Sequence, residues 1–528
     1  MKDIITSGKT ALGIELGSTR VKAVLIDENC KSIASGAHDW ENKLENGYWT
    51  YSLEDVQLAI RSCFKALKAD IKEKYGCDFT TTGAIGVSAM MHGYLAFDKD
   101  GKLLTPFRTW RNTTTARAAE YLTEKLSFNI PQRWTCAHIY QAILGKEDHV
   151  SEIAYVTTLA GYVHYMLTGV NAVGVGEASG IFPIDSSTND YDEKMLAVYD
   201  GLLREKGFDK SLRSIVPKVL LAGENAGCLT EKGMRYLDED GEFSVGVPFA
   251  PCEGDAGTGM TATNSVKERT GNISAGTSIF AMVVLEKNLS KVYPEIDMVT
   301  TPTGKPVAMV HCNNCTSDIN AWAGLFGEFA KVLGVEASKG KILDIMFENA
   351  MKGDSDCGGL ISYNYFSGEP VTGLFEGRPL FVRTPDASFT LGNFMRTQLY
   401  SALAALKVGL DLLLKNEKAA IDKIYGHGGF YIYPGVGQKI TAAAIDAPVS
   451  LMKTAGEGGP YGMALLSLYS IKGQGMTLEE FLEKKAFADA ETVTESPDKN
   501  DVDGFNVFLS RYVKGLECEK AAVESIMN

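Results

Sequence analysis

The chain has 528 residues, too many for one hydrophobic core, so two or more domains are predicted. Its composition, 45% hydrophobic and 22% charged, is that of a globular protein. A formal net charge of −14 opposes binding to nucleic acids or anionic membranes, since both would be repelled at long range. We therefore expect a small-molecule partner, with no nucleic acid and no membrane.

The N-terminus and the cysteines indicate the cytoplasm. The first ten residues lack the apolar core of a signal peptide, and no apolar run reaches the ~20 residues that span a bilayer. The ten cysteines are scattered, which is typical of reduced thiols. Cys312 and Cys315 form a CxxC pair beside His311, but a structural zinc site needs four ligands and no second pair exists. Buried thiols are therefore preferred over a metal or redox site.

Residues 11–27 are predicted as two strands joined by a tight turn at Gly17, Ser18 and Thr19. Glycine and two hydroxyl residues let backbone N–H groups come close to an anion, as in turns that hold phosphate. Taken alone, such a turn is usually only a hairpin.

A helix and a short strand follow. Residues 53–75 place apolar side chains on one helical face. A strand pattern over 84–88 ends at Met91, His92 and Gly93. The end of a strand is where α/β proteins place ligand contacts, although a structural histidine is the commoner interpretation. Farther on, Trp110, Arg111 and Asn112 could supply an aromatic wall and polar contacts.

Residues 250–286 contain one acid among small residues, Asp255, and a second Gly-rich turn at Gly276, Thr277 and Ser278. An isolated carboxylate among glycines suits proton abstraction from a small substrate. The second turn repeats the strand–Gly–Ser/Thr–strand pattern of the first, about 260 residues later. This repeat predicts two related domains that each offer a phosphate-binding hairpin to a shared cleft.

The C-terminal half contains one long helical pattern and two more Gly-rich loops. Residues 395–417 carry leucines at helical spacing, which indicates core packing. The loops lie at 426–429 and 456–462. A Walker A lysine pattern and a GxGxxG that opens a βαβ unit are both absent, which disfavours P-loop and Rossmann folds. The last ~50 residues are predicted to be a solvated appendage with a helix near 512–526.

Together these motifs resemble, in order and over roughly residues 10–480, the FGGY family of carbohydrate kinases. The two turns resemble the family's phosphate loops, and Gly254-Asp255 resembles the motif that carries its catalytic base. Met91-His92-Gly93 resembles the MHG of xylulokinases, and the loops at 426–429 and 457–462 resemble those that hold adenosine.

The resemblance implies an α/β fold of two actin-like (RNase H-like) domains with an interdomain catalytic cleft. Residues 1–262 would form the sugar-binding domain, with the first phosphate loop and the catalytic Asp. Residues 263–528 would form the nucleotide-binding domain, with the second phosphate loop and the adenosine loops. The implied activity is transfer of the ATP γ-phosphoryl group to a hydroxyl of a small ketose, above all a pentulose such as xylulose. Family members are often oligomers, so a homodimer is also expected.

The resemblance also implies site residues. Asp255 would be the catalytic base, and Glu15 and Asp255 would hold Mg²⁺. The residues expected to bind the sugar are Met91, His92, Trp110, Arg111, Asn112 and Asp255. Those expected to bind ATP are Gly17, Ser18, Thr19, Lys22, Gly276, Thr277, Ser278, Gly428, Gly429, Glu457, Gly458 and Gly459.

Two positions depart from the family pattern and keep alternatives open. Glu15 and Asn112 stand where most members carry Asp. Other substrates therefore remain (ribulose, a hexulose, a deoxyketose, a sugar acid or a polyol), as does a catalytically impaired sugar-binding relative. An actin-like or chaperone-type ATPase would share the phosphate loops, but Asp255 with His92 and Trp110 suits a small polyol better.

Overall fold

The computed structural model describes residues 1–452, 458–473 and 475–526, and the chain forms two compact units. The first unit comprises Met1–Val266, Asp297–Val307 and Gly456–Ala490; the second comprises Lys267–Ile296, Ala308–Ala455 and Glu491–Asn528. The predicted boundary after residue 262 lies close to the break after Val266. Two later segments nevertheless belong to the first unit, so the units are not simply the two halves of the sequence.

The first unit contains a main sheet, several two-stranded pairs and surrounding helices. Its strands are β1 (Thr10–Leu16), β2 (Arg20–Asp27), β3 (Ser32–Asp39), β4 (Lys43–Glu45), β5 (Tyr48–Thr50), β6 (Ala84–Ala89), β7 (Leu95–Phe97), β8 (Tyr155–Thr157), β9 (Ala172–Gly174), β10 (Ile184–Asp185), β11 (Asp190–Tyr191), β12 (Lys218–Leu220), β13 (Glu253–Gly254) and β16 (Asp297–Thr300). Its helices are α1 (Lys2–Thr6), α2 (Leu53–Tyr75), α3 (Ala116–Leu126), α4 (Thr135–Leu144), α5 (Leu159–Thr168), α6 (Val175–Ala178), α7 (Glu193–Glu205), α8 (Leu212–Ile215), α9 (Glu231–Leu237), α10 (Asp255–Ala262), α15 (Gly458–Lys472) and α16 (Leu478–Phe481).

The second unit has the same kinds of element. Its strands are β14 (Thr270–Ala275), β15 (Ile279–Val284), β17 (Pro306–Cys312), β18 (Ile361–Tyr363), β19 (Leu380–Val382), β20 (Lys423–His427), β21 (Val449–Met452) and β22 (Thr492–Glu495). Its helices are α11 (Ser317–Val332), α12 (Lys339–Ala350), α13 (Leu391–Asp411), α14 (Val436–Ile445), α17 (Lys499–Lys514) and α18 (Leu516–Ser525).

The two main sheets repeat one strand order. In the first unit the order is β13-β6-β1-β2-β3, with β1 antiparallel to β2 and parallel to β6. In the second unit it is β17-β15-β14-β20-β21-β22, with β14 antiparallel to β15 and parallel to β20. Each sheet thus begins with a hairpin and adds two parallel strands beside the hairpin's first strand. This arrangement confirms the internal repeat predicted from the two turns.

The parallel strands carry the core of the first unit. All six residues of β6 are buried, as expected for a strand covered on both faces. Helix α15 lies directly on β1 because Gly13 has no side chain: a Cβ there would be 2.1 Å from the carbonyl oxygen of Pro460. This close approach brings the start of α15 to the strand that carries Glu15.

The predicted helices are present, with one correction. Helix α2 spans Leu53–Tyr75 as predicted, and α13 begins at Leu391. The C-terminal region is not a solvated appendage: α17 buries Phe505 and Phe508, and the Tyr363 hydroxyl donates to the Tyr512 carbonyl over 2.8 Å. The acidic composition concealed an apolar face at helical spacing.

One segment of the described chain, Leu391–Asn416, is long and apolar enough to cross a membrane. However, 78% of its most apolar window is buried inside the protein. That burial is characteristic of a core helix, in agreement with the leucine spacing in the sequence.

Candidate active site

Three aromatic side chains hold the first turn, between β1 and β2. Trp40 Nε1 donates to the Gly17 carbonyl over 2.7 Å, and the Tyr51 hydroxyl donates to the Ser18 carbonyl over 2.6 Å. Trp110 Nε1 donates to the Ser18 hydroxyl over 3.2 Å. These three bonds fix the conformation of the predicted phosphate loop. Sequence reasoning selected Trp110 but missed Trp40 and Tyr51, which lie far from the turn in sequence.

The three residues from Trp110 to Asn112 have different environments. The Trp110 side chain is 42% exposed, and the Arg111 guanidinium lies 4.1 Å from the ring centroid of Trp49. Asn112 is buried: its Oδ1 accepts from the Trp49 N–H over 2.9 Å, and its Nδ2 donates to the Trp49 carbonyl over 2.9 Å and to Thr109. The Asn112 amide is thus occupied inside the fold, which argues against its predicted sugar contact.

Asp255 lies at the junction of β13 and α10, and its side chain is exposed. The backbone N–H groups of Met91 and Ala256 donate to its Oδ1 over 3.2 and 3.0 Å. Dense protein surroundings raise the pKa of Asp255 although the side chain reaches solvent, while these two bonds and the charge of Arg133 act in the opposite direction. The geometry gives an oriented and accessible carboxylate.

Glu15 lies near Asp255. Burial and the neighbouring Asp255 raise the pKa of Glu15 to about 8, with Lys22 opposing the shift. Glu15 and Lys22 are directly opposite each other on β1 and β2, so they share a sheet face. A carboxylate whose pKa is raised by a neighbouring carboxylate favours a bound cation.

The carboxylates of Glu15 and Asp255 can supply part of the coordination shell of Mg²⁺. In the described part of the chain, no group of three or more His, Cys, Asp or Glu side chains could hold a metal ion. Mg²⁺ is commonly held by one or two carboxylates together with phosphate oxygens and water. Glu15 and Asp255 would supply the two carboxylates of such a site, and phosphate oxygens and water would supply the other ligands.

His92 is buried and uncharged. Its backbone has φ of 72°. Its ring lies so close to Gly180 that a Cβ on Gly180 would be 2.5 Å from His92 Nδ1. The ring stacks on Trp134 with centroids 6.4 Å apart. Burial, followed by the charge of Arg133, holds the pKa of His92 well below its usual value. A neutral imidazole at this position can exchange hydrogen bonds with a sugar hydroxyl.

Two buried acids lie behind Asp255. Glu253 accepts the N–H groups of Gly176 and Glu177 over 3.4 and 3.0 Å, and burial raises its pKa to about 8. Burial, aided by Glu253 and Asp255, holds the pKa of Glu177 well above its usual value. Gly254 is required between them, because a Cβ would lie 2.6 Å from Glu177 Oε2. Sequence reasoning missed Glu177, which no local motif marks.

Arg133 is a further residue that sequence reasoning missed. Its carbonyl accepts the Gly93 N–H over 3.0 Å, which places Arg133 beside His92. Its guanidinium forms an ion pair with Asp297. The available signal was the pair Arg133-Trp134 directly before the helical pattern of α4.

The second turn, in the second unit, is also fixed by its neighbours. The Gly276 N–H donates to the Ser278 carbonyl over 2.9 Å. Thr316 donates to the Gly276 carbonyl through its N–H and its hydroxyl, over 3.0 and 2.7 Å, and the Cys315 N–H donates to the Thr277 carbonyl over 2.9 Å. The segment before α11 thus holds this turn much as the aromatic residues hold the first.

The two predicted adenosine loops belong to different units. Gly428 follows β20 with φ of 102°, and a Cβ there would be 2.5 Å from the carbonyl oxygen of β14, so Gly428 and Gly429 belong beside the second turn. Gly458 and Gly459 begin α15, which is part of the first unit rather than the second. Glu457 lies outside the described residues.

The CxxC pair is buried. Cys312 and Cys315 are both less than 2% exposed, and burial raises the pKa of both thiols. Protonated thiols are poor metal ligands and poor nucleophiles, in agreement with a structural role. All ten cysteines are free thiols.

The chain is similar to known sugar kinases in sequence and in fold. It is 21% identical over 428 residues to a xylulose kinase of Haemophilus influenzae, which covers 76% of this chain and 79% of that protein. It superposes on the solved xylulose kinase from Lactobacillus acidophilus with a TM-score of 0.77 and 17% identity, covering 98% of this chain and 99% of that one. The solved gluconate kinase from the same organism also gives 0.77 and 17%, covering 98% of each chain.

Two family models match most of the chain. The model described as FGGY family of carbohydrate kinases, N-terminal domain, matches residues 10–261, and the corresponding C-terminal domain model matches residues 271–471. The repeated strand order and the similar solved structures agree with the two actin-like domains that this family implies. The chain therefore belongs to the FGGY family of carbohydrate kinases, which are ATP-dependent sugar kinases.

Proposed function

We propose that this kinase phosphorylates a hydroxyl of a small ketose, above all a pentulose such as xylulose, with Asp255 as the general base. The xylulose kinases among the similar proteins support the substrate class. The observation that carries the catalytic assignment is the exposed Asp255 carboxylate, oriented by the Met91 and Ala256 N–H groups.

The two backbone bonds suggest how Asp255 acts. Both bonds end on Oδ1, which makes Oδ2 the oxygen for the substrate hydroxyl. As the hydroxyl oxygen attacks the γ-phosphorus, its proton passes to Asp255 and the bond to the ADP oxygen breaks. His92 follows Met91, whose N–H bonds to Asp255, and Trp110 bonds to Ser18 of the first turn, so both would position the sugar. Proton acceptance of this kind contributes about 10²–10⁴-fold to the rate.

The phosphate-binding part of the proposal rests on the two fixed turns. Mg²⁺, when bound, supplies positive charge to the phosphate oxygens, and Glu15 and Asp255 would hold it. The N–H groups of the turns would contact the phosphates. The remaining residues proposed for ATP are Lys22, Gly428, Gly429, Gly458 and Gly459.

A substrate panel tests the proposal. Purified enzyme is assayed for ADP release with D-xylulose, D-ribulose, D-fructose, a deoxyketose, D-gluconate and glycerol. We expect the highest kcat/KM with a pentulose. Highest activity on another sugar would refute the substrate class, and absence of ADP release with every sugar would refute catalysis.

Two further expectations remain proposals. The family resemblance supports a homodimer, which light scattering with size-exclusion chromatography measures directly. A cytoplasmic location is supported by the ten free thiols.

A further inference from the structure

Two solved structures of equal similarity have names that differ in the charge of the substrate: one is called a xylulose kinase and the other a gluconate kinase. The first binds a neutral sugar by name and the second a sugar acid. A charged side chain near Asp255 and His92 is therefore the feature to examine in this chain.

Arg133 is such a side chain. Its backbone is hydrogen-bonded to Gly93, and the next residue, Trp134, stacks on His92. These two contacts place Arg133 beside His92, and the positive charge of its guanidinium acts to lower the pKa of both His92 and Asp255. The Arg133 side chain is 28% exposed.

Asp297 compensates the charge of Arg133. Nη2 of Arg133 pairs with Asp297 Oδ2, and Asn129 Nδ2 donates to Asp297 Oδ1 over 3.2 Å. Asp297 opens β16, and Thr300 in that strand bonds to Ser179 and Val175 around α6. The same segment continues to Gly180, which lies against His92. The ion pair is thus built into the wall of the site.

Nε and Nη1 of Arg133 make no hydrogen bond within residues 1–452, 458–473 and 475–526. Because Asp297 neutralises the charge of the guanidinium, Nε and Nη1 can donate hydrogen bonds without a net positive charge at the ion pair. Such donors suit a hydroxyl or carbonyl oxygen. A carboxylate would gain less there, because Asp297 would repel it.

We propose that Arg133, balanced by Asp297, is a specificity-determining residue that donates to an uncharged oxygen of the sugar and selects neutral ketoses against sugar acids. This inference rests on the proposed sugar-kinase function, whose site it deepens. It assigns Asp297 as the residue that sets the charge preference and Arg133 as the residue that contacts the substrate.

The test replaces each partner and measures affinity for two probes, D-xylulose and D-gluconate, by calorimetry, together with kcat and KM. In Asp297→Asn the guanidinium charge becomes uncompensated. We expect the gluconate-to-xylulose preference to rise about tenfold or more. In Arg133→Gln we expect the KM for xylulose to rise about tenfold while kcat changes only a few-fold.

The matched control is Asp190→Asn, which removes a carboxylate from the Arg213–Asp190 ion pair in the same unit. It should leave the preference unchanged, and thermal unfolding identifies variants that lose the fold. An unchanged preference in folded Asp297→Asn, or an unchanged xylulose KM in folded Arg133→Gln, would overturn the inference. Binding of xylulose without ADP release would refute the proposed catalysis alone. Failure of the unmodified enzyme to bind xylulose would overturn both.

Discussion

His92 shows how a single residue can be constrained by backbone and burial together. Its φ of 72° lies in the left-handed region, which only a few per cent of residues other than glycine adopt, with Asn, Asp and His the most frequent among them. Its ring is enclosed by Trp134 and Gly180 and is kept neutral by burial. A kinetic test separates a sugar contact of His92 from a purely structural role.

His92→Asn preserves the left-handed backbone and removes the ring. We expect the KM for the sugar to rise about two- to tenfold, because the loss of one hydrogen bond to the substrate costs about 0.5–1.5 kcal/mol. The matched control is His164→Asn, since His164 is also buried in the first unit but bonds to the Ala226 carbonyl over 2.9 Å. If both variants keep the original KM, His92 is purely structural.

At the scale of elements, the start of helix α15 meets the end of strand β1. Gly13 lets the helix lie on the strand, and Gly459 lies so close to Glu15 that a Cβ would be 1.4 Å from Glu15 Oε2. This contact couples a residue proposed for ATP to one proposed for Mg²⁺. The sequence predicted both residues, but not that they touch.

Gly459→Ala tests this coupling. The new methyl group must displace Glu15 or the helix start, so we expect kcat/KM for ATP to fall about tenfold or more. Gly259→Ala is the control, because Gly259 lies in α10 and a Cβ there meets nothing within 4 Å. Equal ATP kinetics in the two variants and the unmodified enzyme would show that Glu15 does not need its present position.

At the scale of the whole molecule, buried titratable groups set the pH dependence of stability. Burial lowers the pKa of His138 to about 3 and of His164 to about 4, so their contribution is present above pH 6.5 and lost as pH falls. Burial raises the pKa of Glu369 to about 7 and of Glu253 to about 8. The folded chain then holds protons that the unfolded chain releases near pH 4.5, so stability falls as pH rises to 8.

We therefore expect the free energy of unfolding to decrease between pH 6.5 and 8, where the contribution of the histidines is constant. Between its unfolded and its folded pKa, each such acid lowers the free energy of unfolding by at most about 1.4 kcal/mol for each unit that the pH rises. Glu369→Gln, which imitates the protonated acid, should reduce the slope between pH 6 and 7 in urea titrations. Glu348→Gln, at an exposed position in the same unit, should not. Identical slopes for all three proteins would contradict this assignment.

The sequence predicted the parts of the fold that local patterns encode. The two hairpin turns, helix α2 and the isolated Asp255 were all recognisable from residue type and spacing. Arg133, Glu177 and the aromatic residues behind the first turn were not, because their contacts join segments far apart in sequence. For a similar reason, only the fold shows that the Asn112 amide bonds to the backbone of Trp49. The return of α15 to the first unit likewise depends on tertiary packing.

The measurement that tests the central claim most directly is sugar phosphorylation by Asp255→Asn. The substitution preserves size and the bonds to Oδ1 but removes the proton acceptor. We predict that ADP release with the best sugar falls about 10²–10⁴-fold, while calorimetry shows ATP binding within a few-fold of the unmodified enzyme. Turnover within a few-fold of the unmodified enzyme would contradict the account, because the kinase would then not use Asp255 as its base.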